Sequence, residues 1–260
     1  MLEQTLQDFL GIHVFAFALT FVRLGTAIMI MPGVGDSFVT ARIRLHFAVA
    51  FTLALFPLTV GYMPDPLPDT FGMFSLILME FIIGIFFGGV ARIFMMALDT
   101  AGMVISISAG LSSAQLFNPA LSTQGSLIGA FMSITGIIVL FSLNLHHLLF
   151  AGIIESYEFF PIGAIPDVGS MAEMIARSVS AAFAIGIKIA APFLVLSILI
   201  YTGMGVLSRM MPQIQIFLIA LPLQILIALA LMSFFLSSAY LFWATQFEDA
   251  MVFFLKTSGG

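Results

Sequence analysis

The sequence predicts an all-α polytopic membrane protein built from helical hairpins. Three observations carry this. Of 260 residues, 61% are apolar and 8% charged, against about 45–50% and about 25% in an ordinary soluble domain. The apolar runs are continuous, whereas an outer-membrane barrel alternates with a period of two. Several of these runs reach the ~20 residues needed to cross a bilayer. Such greasiness also excludes disorder, which requires low hydrophobicity and high charge.

Six stretches are expected to form long helices: 11–31, 46–63, 73–98, 127–152, 178–202 and 213–243. The first begins without a basic leader, since Glu3 and Asp8 precede it, so no cleaved signal peptide is expected. The run from Phe71 to about Ala109 lacks proline, and from Ile214 to Lys256 only Pro222 interrupts the pattern. The latter helix could reach ~60 Å, about twice a hydrocarbon core. Greasy helices of that length are expected to bury surface against other proteins as well as lipid.

The segment 102–129 is different in kind. Gly102, Gly110, Gly125 and Gly129, with Asn118-Pro119, are expected to break the helical pattern. Irregular backbone at membrane depth must be buried in protein or line an aqueous cavity. Its polar side chains are neutral, and no charge occurs between Asp99 and Glu155. A short amphipathic linker on the membrane surface is the plainer alternative.

Charge placement sets an orientation. Arg42, Arg44, Arg92 and Arg209 fall on one side of a six-span plan, and most acidic residues fall on the other. The positive-inside rule then expects both termini outside the cytoplasm. Arg23, Glu80 and Lys188 lie inside apolar stretches, where a charge is costly unless paired or hydrated. An inter-helix salt bridge or snorkelling to an interface is the expected resolution. Glu80 and Arg92 are twelve residues apart, ~18 Å along one helix, so each needs its own partner.

Small residues recur at helical spacing: Gly84 with Gly88, Gly125 with Gly129, and Ala182, Gly186 and Ala190. Such spacing lets helix backbones approach closely in lipid. Seventeen methionines suit cores or seals that must re-pack. Adjacent His146 and His147 point about 100° apart on a helix and do not make an i, i+4 metal pair. Cysteine is absent, which removes disulfides and thiolate chemistry. The net charge of −5 argues against nucleic acid as a partner. No nucleotide-binding, metalloprotease or hydrolase motif is present, so neither an enzyme nor a cofactor is expected.

Four stretches together resemble one family, the FliR/SctT family of type III secretion export-gate proteins. They are FVRLGTAIMIMPGVGDSFVTARIRLHFAVAFTLALFPL (21–58), MEFIIGIFFGGVARIFMMALDTAGMVISISAGLSSAQLFNPA (79–120), NLHHLLFAGIIESYEFFPIG (144–163) and SRMMPQIQIFLIALPLQILIALALM (208–232). The last, with MPQ and LPLQI, is the most specific. The resemblance implies a core subunit of an export gate in the bacterial inner membrane, within the flagellar basal body. It would pack with FliP- and FliQ-like membrane subunits in a hetero-oligomeric helical channel, beside FlhB- and FlhA-like export proteins, and pass unfolded protein substrates. Residues 1–169 would be FliP-like and 170–260 a FliQ-like hairpin. Part of the assembly would stand above the membrane, toward the periplasm. A loop at about 110–125 would plug the closed channel, presenting Gly110, Leu111, Leu116, Phe117, Asn118 and Pro119. The signatures look more like the flagellar form than the virulence-system SctT form. The rival classes are a small-solute secondary transporter, which the intramembrane charges fit, and a membrane scaffold with no conduit.

Overall fold

The structure, a computed structural model, describes residues 2–62, 69–111, 126–211 and 216–256. Among the described residues, seven α-helices follow in chain order: α1 Leu2–Ile30, α2 Ala41–Thr59, α3 Thr70–Ser108, α4 Leu127–Ser142, α5 Leu145–Phe159, α6 Val168–Met210 and α7 Ile216–Lys256. A 3-10 turn, Val60–Tyr62, closes α2. Strands are absent among the described residues. Five segments are long and apolar enough to cross a membrane, and α4 with α5 adds a sixth if they form one broken span.

The overlong helices expected over 71–109 and 214–256 exist as α3 and α7, and α6 extends well beyond the expected 178–202. α3, α6 and α7 run for 39, 43 and 41 residues, roughly 60 Å each at 1.5 Å per residue. Pro192 and Pro222 lie inside α6 and α7 without ending them. Proline in a membrane helix is tolerated where neighbours re-satisfy the freed carbonyl.

Two expectations need correction. Gly102 and Gly129 do not break helices: α3 runs through Gly102, and Gly129 sits in the first turn of α4. They are there for contact. A Cβ built on Gly102 would lie 2.5 Å from the Gly129 nitrogen, so these backbones touch where any side chain would hold them apart. The stretch 127–152, read as one helix, is interrupted at Leu143–Asn144. Asn144 takes a left-handed φ of 59°, a conformation that asparagine reaches more readily than most residues. The break carries the polar residues Ser142, Asn144, His146 and His147, but the apolar runs on both sides of it make one stretch of spanning length.

The chain divides into two compact units. The first comprises residues 1–93, 144–178 and 248–260, and the second comprises 94–143 and 179–247. In the first unit Leu19, Leu24, Ala27, Ile28, Ile83 and Val90 are buried. Phe51 packs on Phe150 with ring centroids 4.6 Å apart, and the Thr20 and Thr59 hydroxyls share a 3.0 Å hydrogen bond. In the second unit Trp243, Leu98, Met132 and Leu140 are buried. The Trp243 indole N–H donates to the Phe94 carbonyl at 3.0 Å, and the Tyr240 hydroxyl to the Met132 carbonyl at 3.3 Å. Both aromatic side chains thereby bury a large apolar body with its polar atom satisfied.

Candidate functional site

The first unit holds the buried charge that the sequence singled out. Arg23 on α1 and Glu80 on α3 are 0% and 1% exposed. The Arg23 Nε donates to Glu80 Oε2, and its Nη2 donates to Oε1 at 2.9 Å. The remaining donors reach α5 and the residue after it: Nη1 to Ser156 Oγ at 3.3 Å and Nη2 to the Phe160 carbonyl at 2.8 Å. The guanidinium lies 3.9 Å from the Tyr157 ring centroid, within cation–π range. One arginine fork thus ties three helices through a fully desolvated pair. Planar, multi-donor geometry is what arginine provides and lysine does not.

The glycines beside this pair make its approach possible. A Cβ on Gly84 would come within 2.6 Å of the Arg23 carbonyl, and one on Gly88 within 2.6 Å of the Ala27 carbonyl. Arg92 finds a different partner, as its distance from Glu80 requires: Nη1 meets Asp36 Oδ1 at 2.7 Å. Asp36 also accepts from the Gly33 amide at 2.7 Å. Gly33, at φ 90°, opens the turn that leads from α1 to α2.

The second unit holds the approach to the expected plug. α3 ends at Ser108, and Gly110 adopts a left-handed φ of 76°, the usual conformation where a helix stops at glycine. Gln224 on α7 is 3% exposed. Its Nε2 donates to the Ser108 carbonyl at 2.7 Å and to the Tyr201 hydroxyl at 3.4 Å. A side-chain amide therefore satisfies a carbonyl that the end of α3 leaves open. Leu111 is half-buried, while Leu116, Phe117, Asn118, Pro119 and Gly125 lie outside the described residues. The chain re-enters at Ser126, whose hydroxyl accepts from the Gly129 amide at 3.0 Å and donates to the Gly102 carbonyl at 3.1 Å. Gly186 packs close to α3, where an added Cβ would sit 2.9 Å from the Ala97 carbonyl. Lys188 is exposed and forms no salt bridge among the described residues.

The structure thus joins Arg23 to Glu80 and separates Arg92 and Lys188 from both. The sequence reading passed over Gln224, Asp36, Tyr157 and Trp243. Gln224 carried a signal, being a lone amide in a long apolar run. Asp36, in a glycine-rich turn, carried none. The rings of His146 and His147 are tilted by 48° with centroids 4.2 Å apart. Among the described residues no group of three or more His, Asp or Glu side chains is placed to hold a metal ion.

Comparison with known proteins agrees with the sequence signatures. The profile of the family described as "Bacterial export proteins, family 1" matches residues 14–250. The "Flagellar biosynthetic protein FliR" of Caulobacter vibrioides is 36% identical over 93% of this chain and 96% of its own length. That of Bacillus subtilis is 31% identical over 82% of this chain and 83% of its own. The "Yop proteins translocation protein T" of Yersinia pestis is 28% identical over 82% of each chain. The chain belongs to the bacterial export proteins, family 1, and is a membrane component of type III protein export.

Proposed function

We propose that the chain is a core subunit of the flagellar export gate. With FliP- and FliQ-like subunits it forms the channel for unfolded flagellar substrates across the inner membrane, beside FlhB- and FlhA-like proteins. Residues 1–169 act as the FliP-like part and 170–260 as the FliQ-like hairpin, with part of the assembly raised toward the periplasm. The observation that carries this reading is the outer surface of the overlong helices. Phe74, Val195, Ile198, Leu199, Leu226 and Phe234 are exposed along helices about twice as long as a bilayer core requires. Neighbouring subunits are the natural cover for the excess.

The gate itself is assigned to 110–125. It contains no charge, so moving it through a low-dielectric channel carries no Born cost. The charges that could conduct are locked away, because Arg23 and Glu80 neutralise each other in a dry site. Energy for transport is supplied by the proton-motive force and by partners. Deleting 111–118 is expected to leave assembly intact and make the membrane leak ions, read as conductance of vesicles carrying the assembled complex. Unchanged conductance would overturn the plug assignment.

The second reading is the equivalent subunit of a virulence secretion system. The likeness to the Yersinia protein favours it, at lower identity than the Caulobacter flagellar protein. A solute transporter is less well supported, since two of its three expected intramembrane charges are buried against each other.

A further inference from the structure

Lys188 sits alone on α6. Between Arg177 and Arg209 it is the only charged residue, and its side chain is exposed without an ion pair among the described residues. Its position has a simple metric. From Ile189 to Ser208 there are 20 residues without a charge, ~30 Å of helix, the thickness of one hydrocarbon core. Lys188 and Arg209 thus bracket one bilayer's worth of apolar helix. Side chains on a helix lean toward its N-terminus, so the Lys188 stem tilts away from the apolar interval, as a snorkelling lysine does.

Other polar groups share this level. Pro192, four residues on, has no N–H to give the Lys188 carbonyl. Ser238 of α7 lines the same cavity as Lys188, and both Ser237 and Ser238 are exposed. Below them, on the side of the apolar interval, the cavity is walled by Ile189, Phe193, Met232 and Phe235. It encloses about 250 Å³. The Lys188 ammonium and the Ser238 hydroxyl in its lining match an anionic headgroup, and Ile189, Phe193, Met232 and Phe235 match hydrocarbon. An acyl chain is narrow and flexible enough to enter the cavity.

We propose that this groove between α6 and α7 binds a phospholipid with an anionic headgroup. Its phosphate faces the Lys188 ammonium and the Ser238 hydroxyl, and one acyl chain lies along Phe193, Met232 and Phe235. The inference requires residues 189–208 to lie in the bilayer with this face open to lipid, whereas the export-gate reading covers part of the same helices with neighbouring subunits. Lipid retention by the purified chain tests the former by itself. The inference also implies that α6 before Lys188 and α7 after Ser238 lie beyond the hydrocarbon.

The test uses the full chain purified in mild detergent, with phosphatidylglycerol and phosphatidylcholine of equal chain length as probes and lipid retention read by native mass spectrometry. Preferential retention of phosphatidylglycerol is expected. Lys188→Gln should cut it about fivefold, the weight of one lysine at a lipid surface, while Lys188→Arg keeps it. Ala239→Phe, which fills the groove, should reduce retention of both lipids. Equal retention of the two lipids by the unaltered chain would overturn the proposal. So would a Lys188→Gln chain that still prefers phosphatidylglycerol, or one that keeps its lipid but loses an acidic protein partner. A second measurement avoids altering Lys188: the cysteine-free chain accepts a single nitroxide at Ser238→Cys. In vesicles of the two lipids its depth should be that of the headgroups, and a depth at the bilayer centre would overturn the assignment.

Discussion

At the scale of single residues, Arg23 shows how a charge survives inside an apolar bundle. Four of its five N–H groups are spent on Glu80, Ser156 Oγ and the Phe160 carbonyl. Removing one member leaves the other buried and uncompensated, at a cost of about 3–5 kcal/mol. Glu80→Ala is therefore expected to lower the melting temperature of the detergent-solubilised chain sharply, and Arg23→Lys nearly as much, because lysine cannot make the two-point contact. Asp167 illustrates the opposite, exposed case. Its carboxylate accepts from the Ser170 hydroxyl and the Gly169 amide at the start of α6, and the Ser170 hydrogen bond foremost holds its carboxyl below the usual range. A lowered folded-state pKa contributes stability that is present above the ordinary carboxylate range and lost as pH falls through the folded value. The protection factor of the Gly169 amide, its exchange rate measured against the intrinsic rate at each pH, should therefore fall on acidification through that window. Asp167→Ala should abolish that pH dependence of protection and leave the amide weakly protected throughout. The Arg23–Glu80 pairing was not legible in the sequence, because the two are 57 positions apart and any nearby anion would have met the same need.

Elements in this protein meet through glycine. Gly84, Gly88, Gly102, Gly129 and Gly186 all sit where a Cβ would collide with a neighbouring helix. Gly89, in the same α3, has open space around its would-be Cβ. The contrast makes a clean pair. Gly84→Ala is expected to destabilise by about 1–3 kcal/mol through forced separation of α1 and α3. Gly89→Ala should be neutral or stabilising by up to about 1 kcal/mol from helix propensity. Thermal unfolding of the two variants in the same detergent checks this, and equal effects would reject the close-packing account. The sequence exposed the spacing of these glycines but not their purpose at 102 and 129. Glycine reads equally as a helix breaker or as a contact point, and only the facing helix decides. Conversely, the break at Leu143–Asn144 had no glycine or proline to announce it.

For the molecule as a whole, the distribution of apolar surface is the main fact. Helical content and the excessive length of α3 and α7 were legible, since proline and charge are scarce over long continuous apolar intervals. The length of α6 was not, because its first turns, with Glu173 and Arg177, precede the apolar run. What covers those helices was not legible, because a lipid tail and a partner's leucine impose the same residue preference. Extraction in mild detergent is expected to recover the chain in a multi-subunit complex with FliP- and FliQ-like proteins. Recovery as a lone polypeptide that conducts solute in liposomes would instead support the transporter class.

Trp243 is the chain's single tryptophan. It is wholly buried, with its indole N–H on the Phe94 carbonyl. Intrinsic tryptophan fluorescence of the 260-residue chain therefore reports from one known contact, where α7 meets α3, without any label. A red shift in emission would time-stamp the wetting of that contact during unfolding, extraction or passage of a substrate. The protein comes with its own spectroscopic reporter, and tryptophan-free partners would leave its signal uncontaminated.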